Sequence, residues 1–244
     1  MNNHPVLYSY RRCPYAMRAR MSIYLSGIQV EQREIVFWDK PEPMLQASPK
    51  GTVPVLILPN GQVIDESRDI MLWAFQTASN GADKTQQACL DWLPSDALQI
   101  QQMNAWIDEN DTVFKTWLDK YKYADRFPEQ PQVVYRQAGE QFLQSIETAL
   151  VSQPYLLGQS LSMTDIALFP FVRQFVNVDK AWFAQADYPN LKKWLDGLLT
   201  SDFFSTIMKN RPVWEPAHQP LWVDEPTLQN RTHFVEKALA SKVN

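Results

Sequence analysis

The spacing of apolar and polar positions in residues 1–80 changes period several times, and each change marks an element. Val6 to Tyr10 is an apolar run short enough for a strand. Met17, Met21, Tyr24 and Leu25 then recur at helical steps, which predicts a helix from Pro14 to Ser26 closed by Gly27, and Val30 to Val36 predicts a second strand. Two strands joined by a helix of this length form a βαβ unit whose strands lie parallel. Past Lys40-Pro41 a short helical or irregular piece ends at Pro49-Lys50-Gly51. Val53 to Leu58, Pro59-Asn60-Gly61 and Gln62 to Ile64 predict a hairpin with Asn-Gly at its turn. Glu66-Ser67 opens a further helix, Arg68 to Thr77, on which Ile70, Met71, Trp73, Ala74 and Phe75 build a broad apolar face.

Residues 79–95 have linker-like polarity at their edges, and after them helical periods dominate. Leu98 to Ala124 reads as one long helix carrying an aromatic stripe (Trp106, Phe114, Trp117, Tyr121, with Asn110 between), and Val133 to Leu150 as a second, with Phe142, Ile146 and Leu150 inward. Leu161-Ser162-Met163-Thr164-Asp165-Ile166 has the spacing of a capping box with its hydrophobic staple. Leu191 to Leu199 and Phe203 to Lys209 read as further helices. From Asn210 the chain turns Pro-rich. Its Trp214 and Trp222 suit anchors that pack this tail down, over the thiol cleft on one reading, against a loosely ordered appendix on the other; Thr227 to Lys242 reads as a terminal helix. The pattern thus predicts a first domain at 1–80, a helical domain at 92–210 and a tail at 211–244.

Composition narrows the chemistry. A chain of 244 residues has room for two modest domains. A net charge of −4 and a pI near 5.4 exclude a general nucleic-acid binder, which needs a basic face for phosphates. Seven Gly against seventeen Pro, with no P-loop or G-x-G-x-x-G pattern, disfavours phosphate-cradling loops. Met1 to Pro5 lacks the basic and apolar regions of a secretory signal and no apolar run reaches the ~18 residues of a membrane span, so a cytoplasmic protein without a membrane partner is expected. Cys13 and Cys89 are far apart, without C-x-x-C or ligand-spaced His, so no metal is expected.

Cys13 falls in the turn between the first strand and the first helix. Pro14 fits the first helical position, where its missing N–H is not needed and its φ is already helical. Cys13 is then the N-cap, facing unpaired N–H groups and the positive end of the helix dipole. Arg11, Arg12 and Arg18 are close in sequence. Such surroundings lower a thiol pKa from ~8.5 into the ~3.5–7.5 range. A half-buried structural cysteine is the competing reading; Pro directly after Cys at a helix start favours reactivity.

Cys13-Pro14-Tyr15-Ala16, Val53-Pro54-Val55 and Glu66-Ser67, in this order across the first domain, resemble the N-terminal domain of the cytosolic glutathione S-transferase family, especially its cysteine-dependent omega-like class. The turn is also similar to that of two-domain bacterial glutaredoxins, which carry Cys-Pro-Tyr-Cys there. The resemblance implies an α/β, thioredoxin-like, glutathione-binding domain followed by an all-α glutathione transferase C-terminal domain, and the capping element at 161–166 extends it there with a folding role. It further implies glutathione as co-substrate and Cys13 as the catalytic residue. Pro54 is then cis, and the Val53 backbone pairs with the cysteinyl part of glutathione like an added strand. Glu66 and Ser67 take its γ-glutamyl ammonium and carboxylate at a helix start, and Lys40 its glycyl carboxylate. Read without the resemblance, Pro54 begins a strand, Glu66-Ser67 caps a helix and Lys40 is a surface lysine.

Ala16 stands where a dithiol glutaredoxin has its second cysteine, so external glutathione must resolve any mixed disulfide. Tyr8, Ser9 and Tyr10 lie where other transferase classes hold the glutathione thiolate; they rank below Cys13 because strand tyrosines usually pack. The expected function is a glutathione-dependent thiol transferase or reductase acting on a small-molecule or protein disulfide. Conjugation of glutathione to an electrophile, and a non-enzymatic interaction protein on the same fold, are the alternatives. The transferase resemblance implies a homodimer and the glutaredoxin one a monomer.

Overall fold

The computed structural model describes residues 3–80 and 92–228. The chain divides into two compact units, Met1–Gln86 with Thr200–Asn244, and Gln87–Leu199.

In the first unit, β1 (Val6–Ser9), α1 (Pro14–Ser26) and β2 (Glu31–Glu34) form the expected βαβ unit, followed by α2 (Glu42–Ala47), β3 (Val55–Ile57), β4 (Val63–Ile64) and α3 (Ser67–Asn80). The sheet runs β2-β1-β3-β4. β1 is parallel to β2, with Val6 opposite Glu31 and Ser9 opposite Glu34, and antiparallel to β3, with Tyr8 opposite Val55. β3 and β4 are the antiparallel hairpin. This is the thioredoxin-like arrangement. α1 packs against α3, and Val6, Tyr8, Ile35, Met44, Val53 and Val55 form one core cluster against which Cys13 and Trp214 rest.

The sequence of β2, Glu-Gln-Arg-Glu, is polar, yet Glu31, Gln32 and Glu34 are buried. The C-terminal segment covers them. Gln32 N donates to Leu221 O (2.8 Å), Val223 N to Val30 O (3.0 Å) and Trp214 N to Glu34 O (2.8 Å), so residues 214–223 run along the free edge of β2. Trp214 meets Tyr8 edge-on (6.0 Å between centroids) with the Arg33 guanidinium 4.4 Å from its ring, and Trp222 meets the His4 ring at 4.8 Å. Both tryptophans are therefore anchors, and they pack the tail on the sheet. The expected boundary at 210 is displaced for the same reason: α10 (Asp202–Ile207) packs on α1, so the chain from Thr200 onward groups with the first unit. Cys89, most of the 79–95 linker and the part of the expected terminal helix beyond residue 228 lie outside the described residues.

The second unit is helical: α4 (Ala97–Glu109), α5 (Lys115–Lys122), α6 (Gln132–Ala149), α7 (Met163–Val176), α8 (Lys180–Gln185) and α9 (Pro189–Leu199). The run expected as one helix over 98–124 is α4 and α5 joined by a π-helical turn, Asn110–Phe114. Phe114 and Tyr121 of its aromatic stripe are core, Phe114 4.6 Å from Phe142 and Tyr121 4.8 Å from Phe175, whereas Trp106 and Trp117 are half-buried. Asp165, fully buried in the first turn of α7, accepts from Ser162 N (3.0 Å), Ser162 Oγ (2.8 Å), Leu156 N (3.0 Å) and Trp194 Nε1 (2.9 Å). The capping element therefore ties a loop and α9 to the helix it starts. No helix among the described residues is long and apolar enough to cross a membrane.

Candidate active site

β1 ends at buried Ser9 and the chain turns over Tyr10, Arg11 and Arg12 into α1. Cys13 N donates to Tyr10 O (3.1 Å) and closes the turn; Pro14 takes the first helical position. Cys13 is thus the extended N-cap that its sequence predicts, at φ −72° and ψ 123°. Its half-buried Sγ accepts no α1 amide and donates instead to Val53 O at 3.7 Å. That bond favours the protonated thiol. Ionisation removes the donor and leaves an anion beside the amides and positive end of α1.

The cations near the turn are arranged differently from the sequence expectation. Arg12 Nε donates to Tyr10 OH (2.8 Å) at the surface. Arg18 points away to α3: it is buried, its Nε donates to Ser67 Oγ (3.0 Å), and its guanidinium lies 5.1 Å from the Tyr15 ring centroid. The cation beneath the turn is Arg20. Fully buried, it donates from Nη1 to Ser9 Oγ (2.5 Å) and Tyr10 O (3.2 Å), and from Nη2 to Arg11 O (2.8 Å). Burial pushes its pKa down to about 10, opposed by the charges of Glu34 and Cys13, so it remains a cation at neutral pH. Glu34 holds the turn from the other side, its Oε1 accepting Arg11 N (2.6 Å) and its Oε2 Gln32 Nε2 (3.2 Å); burial pushes this carboxyl up, opposed by Arg20. Ala16, Arg20 and Ile23 share one buried helical stripe. An arginine on an apolar stripe was the signal available for Arg20; the partnership with Glu34 has none.

The Val53-Pro54 bond is cis, and its carbonyl side faces the thiol. A β-carbon at Gly51, whose φ is +62°, would lie 3.5 Å from Lys40 Nζ, so the Lys40 ammonium lies over the loop that leads into Val53. Ser67 is the buried first residue of α3 and reaches α1 through Arg18. Glu66 is exposed and accepts from Lys50 Nζ (2.6 Å), which is also 3.2 Å from Asp65 Oδ1. The hydrogen bond from Ser48 Oγ (2.6 Å), and next Lys50, hold the Asp65 carboxyl below its usual range, while Glu66 raises Lys50. The structure therefore joins Cys13 to Val53 directly and Ser67 to α1, whereas the Lys40 ammonium lies near Gly51 and Glu66 pairs with Lys50. Lys50, read from sequence only within the end of a helical or irregular piece, is a neighbour of Glu66 that the pattern missed. The three residues ranked below Cys13 are engaged elsewhere: Tyr8 OH accepts from Arg33 Nη1 (2.8 Å), Ser9 from Arg20 and Tyr10 from Arg12.

A thiol at a helix N-terminus, the backbone of a residue beside a cis proline within reach of that thiol, and flanking charges of both signs suit a peptide-like thiol with charged ends. Comparison with known proteins agrees. Residues 7–82 match the family model described as glutathione S-transferase, N-terminal domain, and residues 104–197 the one described as glutathione S-transferase, C-terminal domain. The chain is 26% identical over 199 residues to "Glutathione S-transferase U28" of Arabidopsis thaliana, covering 79% of this chain and 83% of that protein. Among solved structures it is similar to glutathione transferase Omega 3C from Trametes versicolor (TM-score 0.69, 22% identity, 84% of this chain and 88% of that one). It is also similar to a glutathione transferase family member from Pseudomonas fluorescens Pf-5 with two glutathione bound (TM-score 0.67, 16% identity, 82% and 90%).

Proposed function

Because the chain belongs to the glutathione S-transferase family, a family of enzymes that use glutathione as co-substrate, we propose that its finer activity is thiol–disulfide exchange at Cys13. The observation that carries this reading is the position of Cys13 Sγ, at the N-terminus of α1 and 3.7 Å from Val53 O beside the cis Val53-Pro54 bond. A sulfur there meets the sulfur of a glutathione whose cysteinyl backbone pairs with Val53.

In the proposed reaction the Cys13 thiolate attacks the glutathione sulfur of a glutathionyl disulfide. The Cys13–glutathione bond forms, the substrate S–S bond breaks, and the substrate thiolate leaves. A second glutathione thiolate then attacks the glutathione sulfur of the mixed disulfide, releasing oxidised glutathione and the Cys13 thiolate. Electrons balance: one disulfide is consumed and one formed. Ala16 follows in the helix where a second thiol would stand, which supports external resolution. Val53 and Pro54 align the cysteinyl backbone, Ser67 and Glu66 take the γ-glutamyl end, and Lys40 the glycyl carboxylate. Conjugation to an electrophile is the second reading, favoured by the names of the relatives; in it the sulfur of glutathione itself reacts and Cys13 stays unmodified.

Intact-mass measurement after incubation with oxidised glutathione separates the two. Exchange predicts one glutathione on the wild type, removed by excess reduced glutathione, absent in Cys13→Ala and retained in Cys89→Ser. An unmodified wild type, with conjugation intact in Cys13→Ala, establishes the second reading instead.

A further inference from the structure

The turns that follow β1 and β2 lie side by side, since Ile35 N donates to Ser9 O (2.9 Å). One carries the thiol. The other, Val36 to Asp39, is a tight turn closed by Asp39 N donating to Val36 O (3.3 Å), and its two central residues are Phe37 and Trp38. We propose that Phe37 and Trp38, backed by Tyr10, form a docking surface beside Cys13 for a protein substrate in which apolar side chains flank the glutathionylated cysteine. This rests on the reading of Cys13 as the reacting sulfur.

Internal packing does not account for the pair. The centre of a tight turn suits Gly, Asn, Asp, Pro or Ser, and here it holds two large aromatic side chains, Trp38 85% exposed and Phe37 46%. No hydrogen bond, ion pair or ring contact among the described residues holds the Trp38 indole. Phe37 meets Tyr10 edge-on, 4.4 Å between centroids. Tyr10 is the link to the thiol. Its carbonyl accepts Cys13 N (3.1 Å), and it rests with Cys13 on one core cluster. Arg12 fixes the other end of Tyr10: Nε (2.8 Å) and Nη2 both donate to the phenolic oxygen, and the guanidinium lies 5.5 Å from the ring centroid. An aromatic surface therefore runs from the thiol turn through Tyr10 to Phe37 and on to Trp38.

The exposure of this surface selects its occupant. A small ligand is held in a cleft that buries most of it. An indole raised at a turn and left 85% exposed supplies no such walls, so the enclosing hollow has to come from the partner, and a protein surface provides one. Trp, Tyr and Phe are also the side chains enriched where protein interfaces are anchored, Trp and Tyr most of all. Because the aromatic surface adjoins the reacting sulfur, the partner segment it covers is the one that bears the modified cysteine. Apolar neighbours of that cysteine are what an indole and a phenyl ring would bury.

The test uses two short peptides glutathionylated at a single cysteine, flanked on both sides by Leu in one and by Ser in the other, with the mixed disulfide of glutathione and 2-mercaptoethanol as the small substrate; turnover is read as oxidised glutathione formed. The wild type should favour the Leu peptide over the Ser peptide about ten- to a hundredfold in kcat/KM, mostly through KM. Trp38→Ala should erase that preference, keep the rate on the small disulfide within about twofold and leave calorimetric affinity for reduced glutathione unchanged. Equal use of the two peptides by the wild type, an undiminished preference in Trp38→Ala, or an equal loss on peptides and small disulfide overturns the proposal. So does weakened binding of reduced glutathione in Trp38→Ala, because the indole then serves glutathione itself. Fluorescence anisotropy of the labelled peptides on Cys13→Ser, which cannot exchange, separates this proposal from the exchange reading. A wild type that turns over none of the three disulfides refutes exchange alone if the Leu peptide still binds Cys13→Ser more tightly than it binds the Cys13→Ser, Trp38→Ala double variant; it refutes both if the two bind alike.

Discussion

Glu66→Ala and Ser67→Ala should both weaken glutathione binding, but one of them should also weaken the fold. Glu66 is two-thirds exposed and its partner Lys50 is 41% exposed, so losing that ion pair costs ~0–1 kcal/mol of stability. Ser67 is 3% exposed and accepts from the guanidinium of Arg18, itself 2% exposed. A hydrogen bond to a charged group contributes ~1.5–3 kcal/mol, and alanine leaves Arg18 Nε without that acceptor in a place water does not reach. With a urea slope of ~1–3 kcal/mol/M, Ser67→Ala should lower the unfolding midpoint by roughly 1 M and Glu66→Ala by a few tenths at most. In calorimetry Glu66→Ala should lose roughly 10- to 100-fold in glutathione affinity, one charge-assisted hydrogen bond to the ammonium. The reasoning fails if Ser67→Ala unfolds at the wild-type midpoint, or if Glu66→Ala matches it in stability loss while binding glutathione normally.

Two further outcomes concern the scaffold. Asp165→Ala removes the shared acceptor of Leu156 N, Ser162 N and Trp194 Nε1; at ~1–3 kcal/mol for each buried donor left over, the cost should exceed ~3 kcal/mol and appear as a large drop in melting temperature, whereas a near-wild-type melt contradicts the assignment. The Asp65 carboxyl is held low by Ser48 and then Lys50, so its folded pKa lies below the unfolded value of ~3.9. Its stabilisation is then fully present above that value and lost as pH falls through the folded pKa. Urea midpoints at pH 5 and pH 3 should fall less steeply in Ser48→Ala than in the wild type, and equal slopes refute this.

The elements around Cys13 were legible because each has a local cause: Pro14 and Gly27 bound α1, Asn60-Gly61 turns the hairpin, and apolar spacing marks α3. The N-cap place of Cys13 follows from the same signals. The electrostatics did not follow, since sequence proximity pointed to Arg11, Arg12 and Arg18, whereas the guanidinium that holds the turn is that of Arg20. Their fates are set by what each side chain reaches, Ser67 of α3 for Arg18 and Ser9, Tyr10 and Arg11 of the turn for Arg20. β2 was located by its flanking Val30 and Ile35, but a polar strand that is buried makes sense only once residues 214–223 cover it, a contact far too distant in sequence for any local period to carry. The π-helical turn at Asn110–Phe114 interrupts a run whose apolar spacing gives no break.

The covering of β2 has a consequence for how the chain survives outside its native state. An uncovered outer strand offers its backbone to any neighbouring molecule. The groups of Val30, Gln32 and Glu34 that point outward are occupied by Val223, Leu221 and Trp214, so the protein caps its own sheet with its own tail. A chain cut where the family similarity stops, or nicked near residue 210 by a protease, would expose that row of donors and acceptors. Such a fragment should drift toward strand-to-strand self-association, with Glu31, Arg33 and Glu34 left as its remaining brake on precipitation.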